Sequence, residues 1–346
     1  MSGSADGFRG RLSAVVLLAA AVAATPAAAQ VISEFSVPSS GQPLHIAPGP
    51  GGMWFTETGS RIGRITTDGR VSEFAISRPA WRIVAGPDGN LWFTSDGFVS
   101  RMTPGGVVTD FPVSGNAWGI TVGPDRDIWF TELQQDGSTP DNVLWGILGR
   151  ATLDGQITET LIEPWSEDIT SGPGGDFWVP DWTEIGNDAI VRVTPSGTQT
   201  RFVLPGGLHG PGDVGPSAVT IGSDGNVWFV LTRTKQVGRI TPAGAIRVFD
   251  APGERGIAAG PDGNIWITES SANKVGRLTT AGELVEFDVP SARGLPWGIA
   301  AGTEGNIWFT EAGAARIGKI TFQPDRSHPR PPDRRPQSPR GPGAPR

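Results

Sequence analysis

Gly86-Pro87-Asp88-Gly89-Asn90-Leu91-Trp92-Phe93-Thr94 decides the fold, because variants of it recur until the chain holds seven copies. Their tryptophans are Trp54, Trp92, Trp129, Trp178, Trp228, Trp266 and Trp308, separated by 37 to 50 residues. Pro-Asp-Gly-Asn is turn chemistry: proline presets one dihedral, and Gly and Asn accept the positive φ of tight hairpins. Leu-Trp-Phe-Thr is the strand leaving that turn. A repeat of about 40 residues built from short strands is the mark of a propeller blade. The expected fold is therefore all-β: a seven-bladed β-propeller of four-stranded antiparallel blades.

Working outward from the second copy, residues 83–85 read as a first strand, 91–94 as a second, 99–103 as a third and 107–111 as a fourth. Centring the outer hairpin of the first copy on Asp68-Gly69 sets Arg64 opposite Glu73. The same operation sets Arg101 opposite Asp110, Arg150 opposite Glu159 and Arg277 opposite Glu286, whereas Arg192 meets Arg201 and Arg239 meets Val248. Opposite-charge cross-strand pairs are worth about 0.2–1 kcal/mol each. They read as stapling within blades, an anion site on the arginine ring being the other reading. The seventh copy ends after its third strand, and residues 31–35 (Val-Ile-Ser-Glu-Phe) repeat Val71-Ser72-Glu73-Phe74. The N-terminal strand is thus expected to close the ring, with Glu34 opposite Lys319, leaving no open edge.

Fifty Gly and 31 Pro in 346 residues leave no helical period beyond the N-terminus, and there is no Cys for disulfides or thiolate metal sites. Arg9 and Arg11 precede an apolar run at residues 12–24, and Ala27-Ala28-Ala29 supplies small residues for cleavage. Residues 1–29 read as an export signal, which makes the mature protein secreted or periplasmic with no membrane span. Residues 325–346 carry six Arg, two Asp and seven Pro with little to bury, a composition expected to be disordered. Of the net charge of −7, these two ends contribute +1 and +4, so the propeller body of residues 30–324 carries −12. An acidic body argues against nucleic acid as a partner. A monomer is expected, with a small molecule or cyclic peptide on the channel face.

Aligned copies place Leu44, Trp81, Trp118, Glu167, Ser217, Arg255 and Trp297 at the head of the innermost strands, around the central channel. Tryptophans outside the repeated phrase and beside a channel are either a ligand platform or a plug, and with Glu167 and Arg255 they form the candidate binding set. Length variation falls at residues 133–147, 181–188 and 203–217, on the face where those strands begin, and insertions confined to one face mark a binding side. Glu57, Glu132, Glu269 and Glu311 end the second strand of four copies. They are candidate ligands for a divalent cation, loop hydrogen bonding being the alternative. Asp224-Gly225-Asn226 and Asp262-Gly263-Asn264 look like fragments of a calcium loop without its full ligand series. His45 adjoins the channel, His209 lies in a long loop and His328 near the C-terminus. No nucleophile elbow, metal-spaced histidine cluster or phosphate loop is present.

Trp-Phe-Thr-Glu followed by Ile-Gly-Arg-Ile-Thr, as at Trp54 to Glu57 and Ile62 to Thr66, closely resembles the streptogramin (virginiamycin B) lyase family over residues 31–321. The resemblance implies a seven-bladed propeller that opens ester-closed type B streptogramins, inactivating the antibiotic, by magnesium-assisted elimination with a histidine as general base. It also implies Mg²⁺ as cofactor. The family's catalytic histidine, in a Pro-His-Gly-Ile setting, matches Trp297 of Pro296-Trp297-Gly298-Ile299. A second family histidine matches Arg255, and a glutamate matches Ala312, with Glu311 one residue away. A ligand-binding propeller, or one with altered chemistry, is therefore the leading expectation. A magnesium-dependent carbon–oxygen lyase using Glu311 or Glu269 is the alternative.

Overall fold

The repeated turns set the strand register. In the first repeat Thr66 N–H donates to Arg70 O at 3.0 Å, which leaves three residues between them, with Gly69 at φ +89°. The inner turn of the second repeat closes likewise from Gly86 N–H to Asn90 O at 2.8 Å, with Gly89 at φ +76°. A three-residue loop with its last residue left-handed is a standard hairpin connection. It moves the register one residue from that of a two-residue loop, and one residue turns every side chain to the other face.

All the expected charge pairs are therefore corrected. Arg64 lies opposite Ser72, Arg101 opposite Thr109, Arg150 opposite Thr158 and Arg277 opposite Val285. Arg192 lies opposite Thr200, Arg239 opposite Arg247, and Glu34 opposite Gly318 rather than Lys319. On its other side each of these cations faces the repeated tryptophan, as in Trp54 with Arg64 and Trp308 with Lys319. The Arg64, Arg150 and Arg239 guanidiniums lie 5.4–5.8 Å from the rings of Trp54, Trp129 and Trp228. Several reach into the next repeat: Arg101 donates to Leu153 O at 2.7 Å, Arg239 to Thr280 O at 3.0 Å and Lys319 to Thr67 O at 3.0 Å. The cations do staple: within a repeat to the tryptophan and, for Arg150, Arg192 and Arg239, to an aspartate of the inner turn, and between repeats to carbonyls, but not to the carboxylates expected across the outer hairpin.

The computed structural model describes residues 30–135, 144–163, 166–181, 188–205 and 215–322. The expected export signal, the basic tail, His209, His328 and most of each length variation lie outside them. No helix among the described residues is long and apolar enough to cross a membrane. The strands form an all-β propeller of antiparallel blades, but in six sheets where seven were expected: five of four strands and one of six. The difference lies in repeats 2 and 3, which share the six-stranded sheet through two long elements, Leu91–Met102 and Val108–Val122. Leu91–Met102 is not straight. The Arg101 guanidinium lies 5.8 Å from the Trp92 ring, whereas the nine residue steps from one to the other would span roughly 30 Å if extended. The element folds back near Gly97, at φ +74°. The length variation at residues 133–147 is in part a longer hairpin, since Leu144 pairs with Gln135.

Closure by the N-terminal strand is as expected: Gln30–Ser36 pairs antiparallel with Arg316–Phe322 as the fourth strand of the last sheet. The repeated tryptophan is core. Trp54, Trp92, Trp228 and Trp266 are fully buried, and one hydrophobic cluster joins Trp54 and Ile62 of repeat 1 to Ile83, Leu91 and Phe93 of repeat 2. A phenylalanine from the outermost strand stacks on the indole in most repeats, as Phe74 does on Trp54 at 5.5 Å and Phe287 on Trp266 at 5.7 Å. Truncating such a tryptophan is expected to cost about 3–5 kcal/mol. The glycine of Ile-Gly-Arg-Ile is also accounted for: a Cβ on Gly63 would lie 2.1 Å from the Phe55 ring that crosses it.

Candidate functional site

The repeated threonine ties innermost strands to their neighbours in the repeats that carry it. Thr56 Oγ1 accepts the His45 N–H of its own repeat at 3.1 Å and donates to Trp81 O of the next at 3.1 Å. Thr94 donates likewise to Trp118 O, Thr268 to Trp297 O and, across the closure, Thr310 to Leu44 O. The carbonyls so held belong to residues that head the innermost strands, and those heads surround a cavity of ≈400 Å³. Leu44, Trp81, Trp118, Glu167, Arg255 and Trp297 all line it. Ser217 does not: its hydroxyl is in a 2.6 Å hydrogen bond with that of Thr232.

The lining is aromatic and charged. Trp81 and Trp118 stack with ring centroids 4.9 Å apart and planes at 19°, and Trp81 Nε1–H donates to Asp96 at 3.1 Å. Arg255 lays its guanidinium 4.2 Å over the Trp297 ring, and Trp297 is 37% exposed. Residues following two of the strand heads were not singled out from the sequence. Arg82, after Trp81, forms a 3.2 Å ion pair with Asp168, after Glu167, and so links repeats 2 and 4. Asp168 also accepts the N–H groups of Ile169 and Val219 at 3.0 Å, yet burial raises its pKa against these partners. Arg82 and Asp168 line the cavity along with the strand heads that precede them.

His45 accepts the Ile83 N–H at Nδ1, 3.4 Å away. Burial first, and the Arg82 charge second, push its imidazole down to about 3, so it stays neutral near pH 7. With His45 neutral and Asp168 ion-paired, Glu167 is the lining carboxylate with no hydrogen-bond or ion-pair partner among the described residues. The arrangement is equipped for stacking and ionic recognition more than for moving a proton.

None of Glu57, Glu132, Glu269 and Glu311 lines the cavity. They sit in four different sheets, at most 1% exposed, each beside a second acid: Glu73, Glu159, Glu286 and Glu34 respectively. Burial chiefly, with the neighbouring acid second or third, pushes Glu57 and Glu311 up to about 7 and Glu132 and Glu269 up to about 8. Ser39 donates to Glu57 at 2.8 Å and the Gly115 N–H to Glu132 at 2.8 Å. Four separated carboxyls that hold protons near neutrality are a poor donor set for one Mg²⁺. Among the described residues no three His, Asp or Glu side chains group to hold a metal. The aspartates of the calcium-loop fragments are turned inward to their own turns: Asp224 accepts from Asn226 and from the Trp228 indole at 3.0 Å, as Asp262 does from Asn264 and Trp266.

The virginiamycin B lyase family model matches residues 23–159 and 145–328. A curated virginiamycin B lyase of Nocardia farcinica is 30% identical over 105 residues, which is 30% of this chain and a third of that protein. Among solved structures, virginiamycin B lyase from Staphylococcus aureus is 30% identical with a TM-score of 0.72, covering 85% of this chain and all of that one. A streptogramin B lyase is 28% identical with a TM-score of 0.73, over 85% and 98% of the two chains. A catalytically inactive histidine-to-alanine variant of the Staphylococcus aureus enzyme, crystallised with quinupristin, is 31% identical with a TM-score of 0.72, over 85% and 100%. The chain belongs to the virginiamycin B lyase family.

Proposed function

We propose that this chain is an exported, ligand-binding member of the family, which holds a small molecule or cyclic peptide in the central cavity without opening streptogramins at a lyase's rate. The observation that carries this reading is Trp297, an indole under the Arg255 guanidinium at the position the family gives to its general base. An indole accepts no proton from carbon, and general acid–base help is worth roughly 10²–10⁴ in rate. A relative described as catalytically inactive after loss of one histidine, and yet crystallised with quinupristin, is consistent with binding that outlasts catalysis. The same proposal counts the six-stranded sheet as two blades, since it carries both Trp92 and Trp129 and folds back near Gly97, which makes a ring of seven. Magnesium-dependent elimination is the second reading, favoured by Glu167, the lining carboxylate without a partner.

The test incubates the protein with a type B streptogramin and magnesium, separates ring from opened product by chromatography, and follows tryptophan fluorescence in parallel. A fluorescence change without product is expected. Rapid opening abolished by a chelator would overturn the binding reading, and Glu167 would be the first residue to replace.

A further inference from the structure

Two side chains of opposite charge in the cavity are left without a neutralising neighbour. Arg82 and Asp168 neutralise each other at 3.2 Å. Arg255, by contrast, rests on the Trp297 face and has no carboxylate partner among the described residues, and Glu167 has no cation. A guanidinium lying on an indole is fixed by one flat face and keeps its N–H edge free, and that edge is a fork matched to the two oxygens of a carboxylate. Beside it, the exposed Trp297 ring and the stacked pair of Trp81 and Trp118 offer apolar area that a flat ring would cover. Charge on the guanidinium is worth more here than on an open surface, because the surrounding indoles lower the effective dielectric.

Resting on the ligand-binding reading above, the geometry points to an aromatic carboxylate as the ligand class. Its ring stacks on the tryptophans and its carboxylate is taken by Arg255. Glu167, in repeat 4, sets the limit on charge: its field weakens the binding of any anion and disfavours a second negative group.

The probes are 2-naphthylacetate and its neutral amide, titrated calorimetrically at low salt. The acid is expected to bind at least ~10-fold more tightly than the amide, as a charge-assisted bidentate contact would provide, with an advantage that shrinks as salt is added. Arg255→Gln is expected to bring the acid to the level of the amide. Glu167→Gln is expected to tighten the acid several-fold, because it removes a repulsion. If Arg255→Gln lowers the melting temperature, Arg255→Lys, which keeps the charge and loses the fork, is expected to fall between the two. Equal binding of acid and amide to the unaltered protein would overturn the carboxylate anchor and leave the ligand-binding reading standing. So would failure of both naphthyl probes while a type B streptogramin binds. Failure of all three compounds would overturn the ligand-binding reading itself.

Discussion

Glu269 carries the most information of any single residue, because its repeats show what can replace it. Glu286 is the neighbouring acid that raises its pKa, and Lys274 and Glu254 are the other charges that act on it. At the matching positions repeat 4 has Asp181 with Arg201, an ion pair, and repeat 5 has Leu231 with Val248. A position satisfied by two acids, by an acid and a base, or by two hydrocarbons is a packing position that must be close to neutral overall. The set of four glutamates was legible in the sequence; their acidic partners were not, because the register was read one residue out. In the unfolded chain such a carboxyl titrates near 4.5, and in the folded chain Glu269 holds its proton to about 8. The folded state therefore binds more protons between those values. The contribution to stability is complete below about pH 4.5 and is lost as pH rises through 8. Melting temperatures measured from pH 5 to pH 8 are expected to fall, and Glu269→Gln, neutral at every pH, is expected to reduce the slope by roughly 1–2 kcal/mol over that range. An unchanged slope would mean that the carboxyl titrates as an ordinary one.

Among the elements, the three-residue turn decided what could be foreseen. Strand positions, the tryptophan core and the strand heads follow from alternation and repeat spacing, and those expectations agree with the structure except at Ser217, which does not line the cavity. Facing pairs depend on whether a turn holds two residues or three, and Asp-Gly fits both, so every pair moved by one. Asn90 illustrates the same ambiguity: it reads as a residue for positive φ, yet Gly89 alone takes that conformation, and the Asn90 amide bonds Asp88 at 2.8 Å. Repeat 3 puts Pro-Asp-Arg-Asp in this turn, and Arg126 stands at φ +67° where other repeats have glycine. A left-handed conformation costs an ordinary residue about 1–2 kcal/mol, while glycine's freer unfolded chain costs part of that back. Arg126→Gly is expected to raise stability by roughly 0.5–1 kcal/mol in denaturant unfolding, since the side chain is exposed and forms no hydrogen bond or ion pair among the described residues. A loss of stability would show that Arg126 contributes a contact that outweighs its backbone strain.

For the whole molecule the decisive contact joins residues almost the full body apart. The copy of Val71-Ser72-Glu73-Phe74 at residues 31–35 made that closure legible; the sharing of one sheet by repeats 2 and 3 was not, since no sequence signal distinguishes their link from the others. Glu34 accepts the Ser291 N–H at 2.7 Å, the Ser291 hydroxyl at 2.9 Å and Arg316 Nη1 at 2.8 Å. Phe35 stacks on Trp308 at 5.9 Å and packs in one cluster with Met53 and Phe55 of repeat 1. One strand therefore completes the last sheet and helps seal it to the first. A chain beginning at Ser36 would leave Arg316–Phe322 with a free edge, and a free edge pairs with other chains. The Thr310 hydroxyl, which donates to Leu44 O at 2.7 Å, would remain as a tie across the junction. Such a chain is expected to melt well below the full one and to form soluble aggregates in size-exclusion chromatography. Phe35→Ala, which keeps the backbone pairing and removes only the ring, is expected to melt between the two and keep the elution profile of the full chain. Equal melting temperature and an unchanged elution profile for the chain beginning at Ser36 would show that Thr310 and the cluster around Trp308 hold the ring shut without the strand.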